Sequence, residues 1–264
     1  MQIPINERPF IDSAPSVVNA VEIFSGEWAC RFPQSFPNFK GAGAVAAFED
    51  SRIVWANENL TKLGGGFEGA EVLELGPLEA AHTYMISRLG CKNILSIENN
   101  PRAFLKCLVV KEVMDIQRAN FLLGDALLYL KENRRQFDIG VASAFLNHLV
   151  QPVEIIEKFS KCCRALFIWN VVFDESLFEK QPEIKPTFGF PRTSEWEGFH
   201  HTLYPHYYGQ PADYSRFWGG SQPSCCWMRS KDILEAVKHF GFQKIEWKEE
   251  ENPYGKALCL VACK

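Results

Sequence analysis

The 264-residue chain has no apolar run near the ~20 residues that a membrane span needs. Its beginning, MQIPINERPF, has no basic start followed by an apolar signal region, so a cytoplasmic location is expected. Basic clusters are scarce as well. The longest basic run is Arg134-Arg135 and the formal net charge is −4, which argues against a broad nucleic-acid surface, because phosphate binding needs gathered Lys and Arg. The nine cysteines include two adjacent pairs, Cys162-Cys163 and Cys225-Cys226, but no C-x-x-C. That spacing suits neither zinc chelation nor an ordinary disulfide, and reduced thiols packing as small hydrophobes are expected. No metal is expected either: His200, His201 and His206 with Asp213 match no standard ligand spacing. No internal repeat or low-complexity tract is present. What the chain does have is apolar content, 47% hydrophobic against 23% charged, enough for a substantial core in one domain with appendages.

Residues 71–100 organise the rest. Val72, Leu73 and Leu75 form a short apolar run closed by Gly76-Pro77, which predicts a strand buried on both faces. Ala80, Ala81, Tyr84, Met85 and Leu89 then recur at helical spacing up to Gly90. Asn93 to Ile97 predicts a second strand ending on Glu98. Two strands joined by such a helix make a parallel pair with a right-handed crossover, and ligands bind at the carboxyl ends of its strands. The ligand should lie over Glu74 to Glu79 and beside Glu98.

The alternation continues. Asn100-Pro101 opens a helix with Phe104, Leu105, Leu108, Val109 and Val113 as its stripe. Strands are expected at 121–123, 137–142 and 165–172, with a helix around Ile155, Ile156 and Phe159. Another helix runs from Ser230, read as its N-cap, to Phe240. The segments 243–247 and 257–263 are too close for a crossover helix and should pair antiparallel. The expected fold is α/β: a doubly wound, Rossmann-like, mainly parallel seven-stranded sheet with a C-terminal antiparallel hairpin. Residues 1–70 would form an N-terminal helical and loop cap, 71–172 and 228–264 the core, and 173–227 a substrate-covering insertion. Within the cap, Ser13 or Ser16 could start a helix. Trp28, Phe32, Phe36 and Phe39 read either as a hydrophobic cover for one sheet face or as a lid in which Trp28 touches ligand. The insertion is rich in aromatics and shows no strand-like core of its own, so its aromatics should line a pocket.

The turn after the first strand limits the ligand. A dinucleotide fingerprint reads G-x-G-x-x-G, and here only Gly76 fits. Glu74 and Glu79 flank the turn, where a pyrophosphate would be repelled. A ligand with a cationic end and a ribose suits it better, its ammonium meeting Glu74 and its hydroxyls meeting Glu98. S-adenosylmethionine is such a ligand.

These residues carry a resemblance. Glu74-Leu75-Gly76, Glu98 and Leu123-Gly124-Asp125-Ala126 resemble the motifs of class I S-adenosylmethionine-dependent methyltransferases. More narrowly, LELGPLEAAHTY, AFLKCLVVKEV and FSGEW are similar to a group of bacterial methyltransferases of unassigned substrate, a likeness covering roughly residues 24–172. The segment 142–148 resembles the G-V-L-Y-H stretch of several methyltransferases, including tRNA wobble-uridine carboxymethyl transferases, with Asn147 in place of the tyrosine. The resemblance implies S-adenosylmethionine as cofactor. Glu74, Gly76 and Glu79 would hold its methionine end and Glu98 the ribose, with Pro77, Leu78, Thr83 and Asn99 as further cofactor contacts. Gly124, Asp125 and Ala126 would meet the adenine, with Ser143, Ala144 and Phe145 as the far wall. His148 is the candidate base or substrate-orienting group, the alternative being an ordinary loop hydrogen bond. Trp28, His200, His201 and Tyr208 are the candidate acceptor contacts. The implied activity is methyl transfer to oxygen or nitrogen of a small-molecule partner, without a membrane or nucleic acid. RNA modification and a catalytically silent cofactor-binding scaffold are the alternatives.

Overall fold

The computed structural model describes residues 10–37, 39–209, 219–253 and 255–264. Its frame is set by β1 (Glu71–Leu75), α3 (Ala81–Arg88) and β2 (Asn93–Glu98), a parallel pair with Val72 opposite Ile94 and Leu75 opposite Ile97. The chain continues through α4 (Pro101–Val113), β3 (Ala119–Leu123), α5 (Ala126–Glu132), β4 (Phe137–Ser143), α6 (Val153–Cys162) and β5 (Cys163–Val171). After the insertion come α8 (Ser230–His239), β9 (Lys244–Asn252) and β10 (Gly255–Cys263), the last two antiparallel. The seven strands lie in the order β3-β2-β1-β4-β5-β10-β9, as expected of a doubly wound sheet with a terminal hairpin. The winding reverses between β1 and β4, and a crevice opens at such a switch point.

Period-two alternation divides the core into two layers. Val72, Ile94, Ile139, Val141, Phe167 and Val261 face one side of the sheet; Leu73, Leu75, Ile97, Leu166, Ile168 and Leu260 face the other. The first face is covered by α1 (Val17–Glu22), α2 (Ser51–Leu63), α3 and α4; α5, α6 and α8 cover the second. Ser16 caps α1 through Val18 N, Asp50 caps α2, and Asn100 caps α4 with Pro101 in the first turn. For α8 the expected cap is wrong: Arg229 occupies that position and makes no side-chain cap, while Ser230 is already helical with its hydroxyl buried and unpartnered. Among the described residues no helix is long and apolar enough to cross a membrane.

The N-terminal aromatics are a cover. Trp28 is buried, donates through Nε1 to Val21 O at 2.9 Å, and packs edge-on to Phe24 and Phe32. Phe32 in turn stacks with Phe36 and Phe48. The FSGEW stretch holds this cover in place. Glu27 pairs with Arg102 of α4 through two 2.7 Å bonds, and the same guanidinium lies 4.5 Å over the Phe24 ring. The lid reading of Trp28 is therefore corrected: its indole is committed to packing and to a carbonyl.

The insertion departs from expectation. It contains α7 (Ser176–Lys180) and an antiparallel sheet of β6 (Arg192–Trp196), β7 (Phe199–Tyr207) and β8 (Ser224–Trp227). Short strands with alternating polar and aromatic residues gave too weak a signal to separate from a loop. This sheet sits at the carboxyl end of the main one, where Cys226 N donates to Leu149 O at 2.8 Å. All nine cysteines are buried and free. Among the described residues no three His, Cys, Asp or Glu side chains converge as metal ligands do; Asp213 lies outside those residues.

Candidate active site

A cavity of about 680 Å³ opens at the switch point, between the β1, β2 and β4 ends on one side and the insertion on the other. Gly76, Leu78, Glu98, Asn99, Gly124, Asp125, Ala126, Ser143, Ala144, Phe145, His148 and Tyr208 line it. The turn is built from left-handed residues: Gly76 at φ 67°, Leu78 at 54° and Ala80 at 58°. At the facing strand exit, Ala144 has φ 52°. Non-glycine residues held there cost ~1–3 kcal/mol each and collect at functional sites. Gly76 is required twice over, by its φ and because an added Cβ would lie 2.8 Å from the Phe145 ring. Gly76→Ala is accordingly expected to destabilise the protein by ~1–3 kcal/mol in urea denaturation. An unchanged midpoint would show that the turn is not held as described.

Glu98 is the ordered polar group of the cofactor half. Its two oxygens accept from Leu78 N at 3.0 Å and Asn100 N at 2.9 Å. The Asn99 N–H adds a third backbone donor, so acceptor capacity for a ligand hydroxyl is left on the carboxylate but not on all four of its sites. Burial pushes the Glu98 carboxyl above its usual range despite those backbone donors. Asp125 caps α5 through Leu128 N with one oxygen, leaving the other at the cavity rim.

Seven expected contacts lie elsewhere. Glu74 is buried behind the turn, accepting from Thr83 Oγ1 at 2.5 Å and Ser96 Oγ at 2.7 Å, so it ties β1 to α3 and β2 and does not face a ligand ammonium. Burial raises its carboxyl too. Thr83 is spent on that bond, and Pro77 is buried beneath the turn. Glu79 points away from the cavity into the N-terminal cover. It accepts from Ala29 N and Cys30 N and pairs with Lys106 at 3.0 Å, all within the core. Its charge is thus neutralised at contact distance and the expected repulsion of a pyrophosphate does not come from it. Trp28 lies in the cover already described. His200 stands on the exposed side of β7, and His201 is buried against Phe199, facing Gln151 Oε1 at 3.0 Å.

The acceptor half is walled by Phe145, Leu149, Trp169, Val171 and Trp227. Trp169 is fixed from behind by Arg52, whose guanidinium lies 4.0 Å over its ring, and by Glu250, which accepts its Nε1 at 2.7 Å. Sequence reasoning missed Trp169 and Asn147; a tryptophan at the end of the strand beside the switch point was the available signal for the first. His148 sits on a short 3-10 turn after β4, with Nδ1 3.0 Å from the Tyr208 hydroxyl and Nε2 3.3 Å from Asn147 Nδ2. Burial, with His206 adding to it, lowers the His148 pKa to about 4, so the imidazole is neutral at pH 7. Among the described residues the lining carries Glu98, Asp125 and Glu154 but no Lys or Arg.

No family model matches the sequence, and no curated protein does. Solved structures do. The N-terminal domain of EvdMO1, determined in the presence of SAH and D-fucose, superposes with a TM-score of 0.65 at 17% identity over 94% of each chain. Magnesium protoporphyrin IX methyltransferase (ChlM) from Synechocystis PCC 6803 with bound SAH gives 0.54 at 12% identity, over 81% of each chain. The N-methyltransferase NodS from Bradyrhizobium japonicum WM9 gives 0.51 at 12%, over 83% of this chain and 97% of that one. The chain has the fold of the class I S-adenosylmethionine-dependent methyltransferases.

Proposed function

We propose that this protein is an S-adenosylmethionine-dependent methyltransferase that acts on an oxygen or nitrogen of a small acceptor without anionic groups. The observation that carries it is Glu98, a buried carboxyl lining the cavity at the end of β2, held in place by backbone N–H groups and able to accept from a ribose hydroxyl. The Gly76-to-Leu78 turn, Asn99 and the Asp125 rim would hold the rest of the cofactor. A pyrophosphate finds no donor at the Leu78 N–H, which is already given to Glu98. Two of the similar structures hold SAH, the demethylated product.

Bound there, S-adenosylmethionine supplies a sulfonium methyl group and leaves as SAH, with the carbon–sulfur electron pair on sulfur. The protein's part is to align the acceptor and to take the proton it releases on the neutral His148 imidazole. Among the described residues the lining is acidic and carries no Lys or Arg, which disfavours phosphates and carboxylates, hence RNA. It suits an uncharged hydroxylated ring or an amine, and the D-fucose of the EvdMO1 experiment is a molecule of the first kind.

Calorimetry with SAH tests this. Glu98→Ala should lose ~1.5–3 kcal/mol for each charge-assisted bond removed. Wild-type affinity should also depend on pH with a definite sign. Hydroxyl donors favour the carboxylate and so lower a carboxyl that burial holds high in the free protein. Affinity is then full above the free-site value, falls as pH drops through it, and levels off below the value in the complex. Glu98→Gln should flatten that profile. Absence of SAH binding, or NAD binding in its place, would overturn the methyltransferase reading. Binding without methyl transfer to any pooled metabolite would favour the scaffold.

A further inference from the structure

We infer that Asn170, on β5, is a positioning residue that holds His148 in place beside the cavity by capping the turn that carries it. The catalytic meaning of that placing rests on the reading of His148 as the base; the placing itself does not. Asn170 is the one polar residue in the run Ala165 to Val172, ALFIWNVV, and it is 1% exposed. By the alternation of the strand it shares a face with Ile168 and Val172, and it stands opposite Leu258 of β10, all three buried in one apolar layer. An amide in such a layer is costly unless both of its ends are paired. Both are. The Asn147 N–H donates to Oδ1 at 3.0 Å, and Nδ2 donates to Val171 O at 2.7 Å. Each partner is a backbone group with a single possible role, so the amide can stand only one way round.

The first of these bonds is a cap supplied from outside the turn. The first N–H groups of a helical turn have no partner within it, and a side chain just before the turn usually accepts from one of them. Here Phe145 holds that place and makes no side-chain cap. Within the turn His148 N reaches back to Phe145 O and Leu149 N to Leu146 O, while the Asn147 N–H is taken by Asn170. Trp169, one residue earlier, accepts from the N–H of the left-handed Ala144 at 2.7 Å. Consecutive residues of β5 therefore pin both ends of the stretch 144–147, and Trp169 also walls the acceptor half. The base and the acceptor's wall are thus set from one strand. Without Asn170 the turn loses that hold, the Asn147 amide leaves its place 3.3 Å from His148 Nε2, and water gains the imidazole.

Histidine-labelled protein, followed by proton–nitrogen correlation between pH 7 and 5 with the His148 signals assigned through His148→Gln, tests this. Burial, with His206 adding to it, keeps the wild-type imidazole neutral across that window, and the Tyr208 hydroxyl and Asn147 amide beside it do not change charge there, so its signals should not move. Asn170→Leu keeps the bulk but offers no acceptor. The wetted imidazole should then titrate inside the window, its pKa moving up toward the ordinary ~6.5, and the Asn147 amide should exchange with solvent about tenfold faster or more. Asn170→Asp should restore both readings: as the neutral acid that burial favours, its carbonyl accepts from Asn147 N and its O–H donates to Val171 O. A residue that merely fills the layer would show no such rescue. The wild type carries a check that needs no variant to fold, since its Asn147 amide should be protected from exchange. A freely exchanging Asn147 amide would overturn the inference, as would an unmoved His148 titration in folded Asn170→Leu, or the same shift in Asn170→Asp. The SAH-induced rise in melting temperature should survive in both variants. Its absence from the wild type, with the His148 readings as expected, would leave the placing by Asn170 standing and remove the methyltransferase reading.

Discussion

Glu79→Ala is expected to destabilise the protein by ~3–5 kcal/mol, because it leaves the Lys106 ammonium buried without its counter-charge. Both side chains are almost fully buried, and once the carboxylate is gone Lys106 keeps Glu27 O at 2.6 Å and the Trp28 ring at 5.5 Å but no counter-charge among the described residues. The N–H groups of Ala29 and Cys30 lose their acceptor in the same step, at a further cost for each buried donor left unpaired. The loss should be concentrated in the attachment of residues 24–32 to α4, which hydrogen exchange can localise. The double change Glu79→Leu with Lys106→Met should recover much of it, since replacing both charges by apolar groups removes the stranded ion. Equilibrium unfolding in urea measures both. A Glu79→Ala loss below ~1 kcal/mol would mean that the carboxylate is solvated and not the tie described.

The second large effect is on turnover. His148→Asn is expected to lower kcat by ~10²–10⁴ while cofactor affinity stays nearly intact, if its imidazole takes the acceptor's proton. The wild-type pH profile carries an independent signature. The neutral imidazole is the active form and its pKa is lowered to about 4, so activity should hold through pH 5 to 6, where an ordinary histidine is already charging, and fall only as pH drops through about 4. An acid limb near 6.5 would show that His148 is solvated or is not the base. A rise in KM with kcat unchanged in His148→Asn would assign it to orienting the acceptor only.

Most of the sheet was legible because each strand is a short apolar run between clear stops, and because Asn100-Pro101 announces its own helix. The three-stranded sheet of the insertion was not. Its strands mix histidine, threonine and proline with aromatics, and they pair with one another, so their hydrogen bonding depends on partners that the local pattern does not reveal.

The sequence by itself determined the doubly wound fold, the position of the crevice and the placing of Gly76, Glu98, Asp125 and His148 beside it, because strand alternation and crossover handedness leave little freedom there. The tertiary structure alone decided which carboxylates face the ligand. Left-handed backbone at Leu78 and Ala80 turns Glu79 under the N-terminal cover, and Thr83 with Ser96 holds Glu74 behind the turn. It also decided that the far-off Tyr208 meets His148, a contact across 60 residues that only the packing of the insertion onto the sheet end can make.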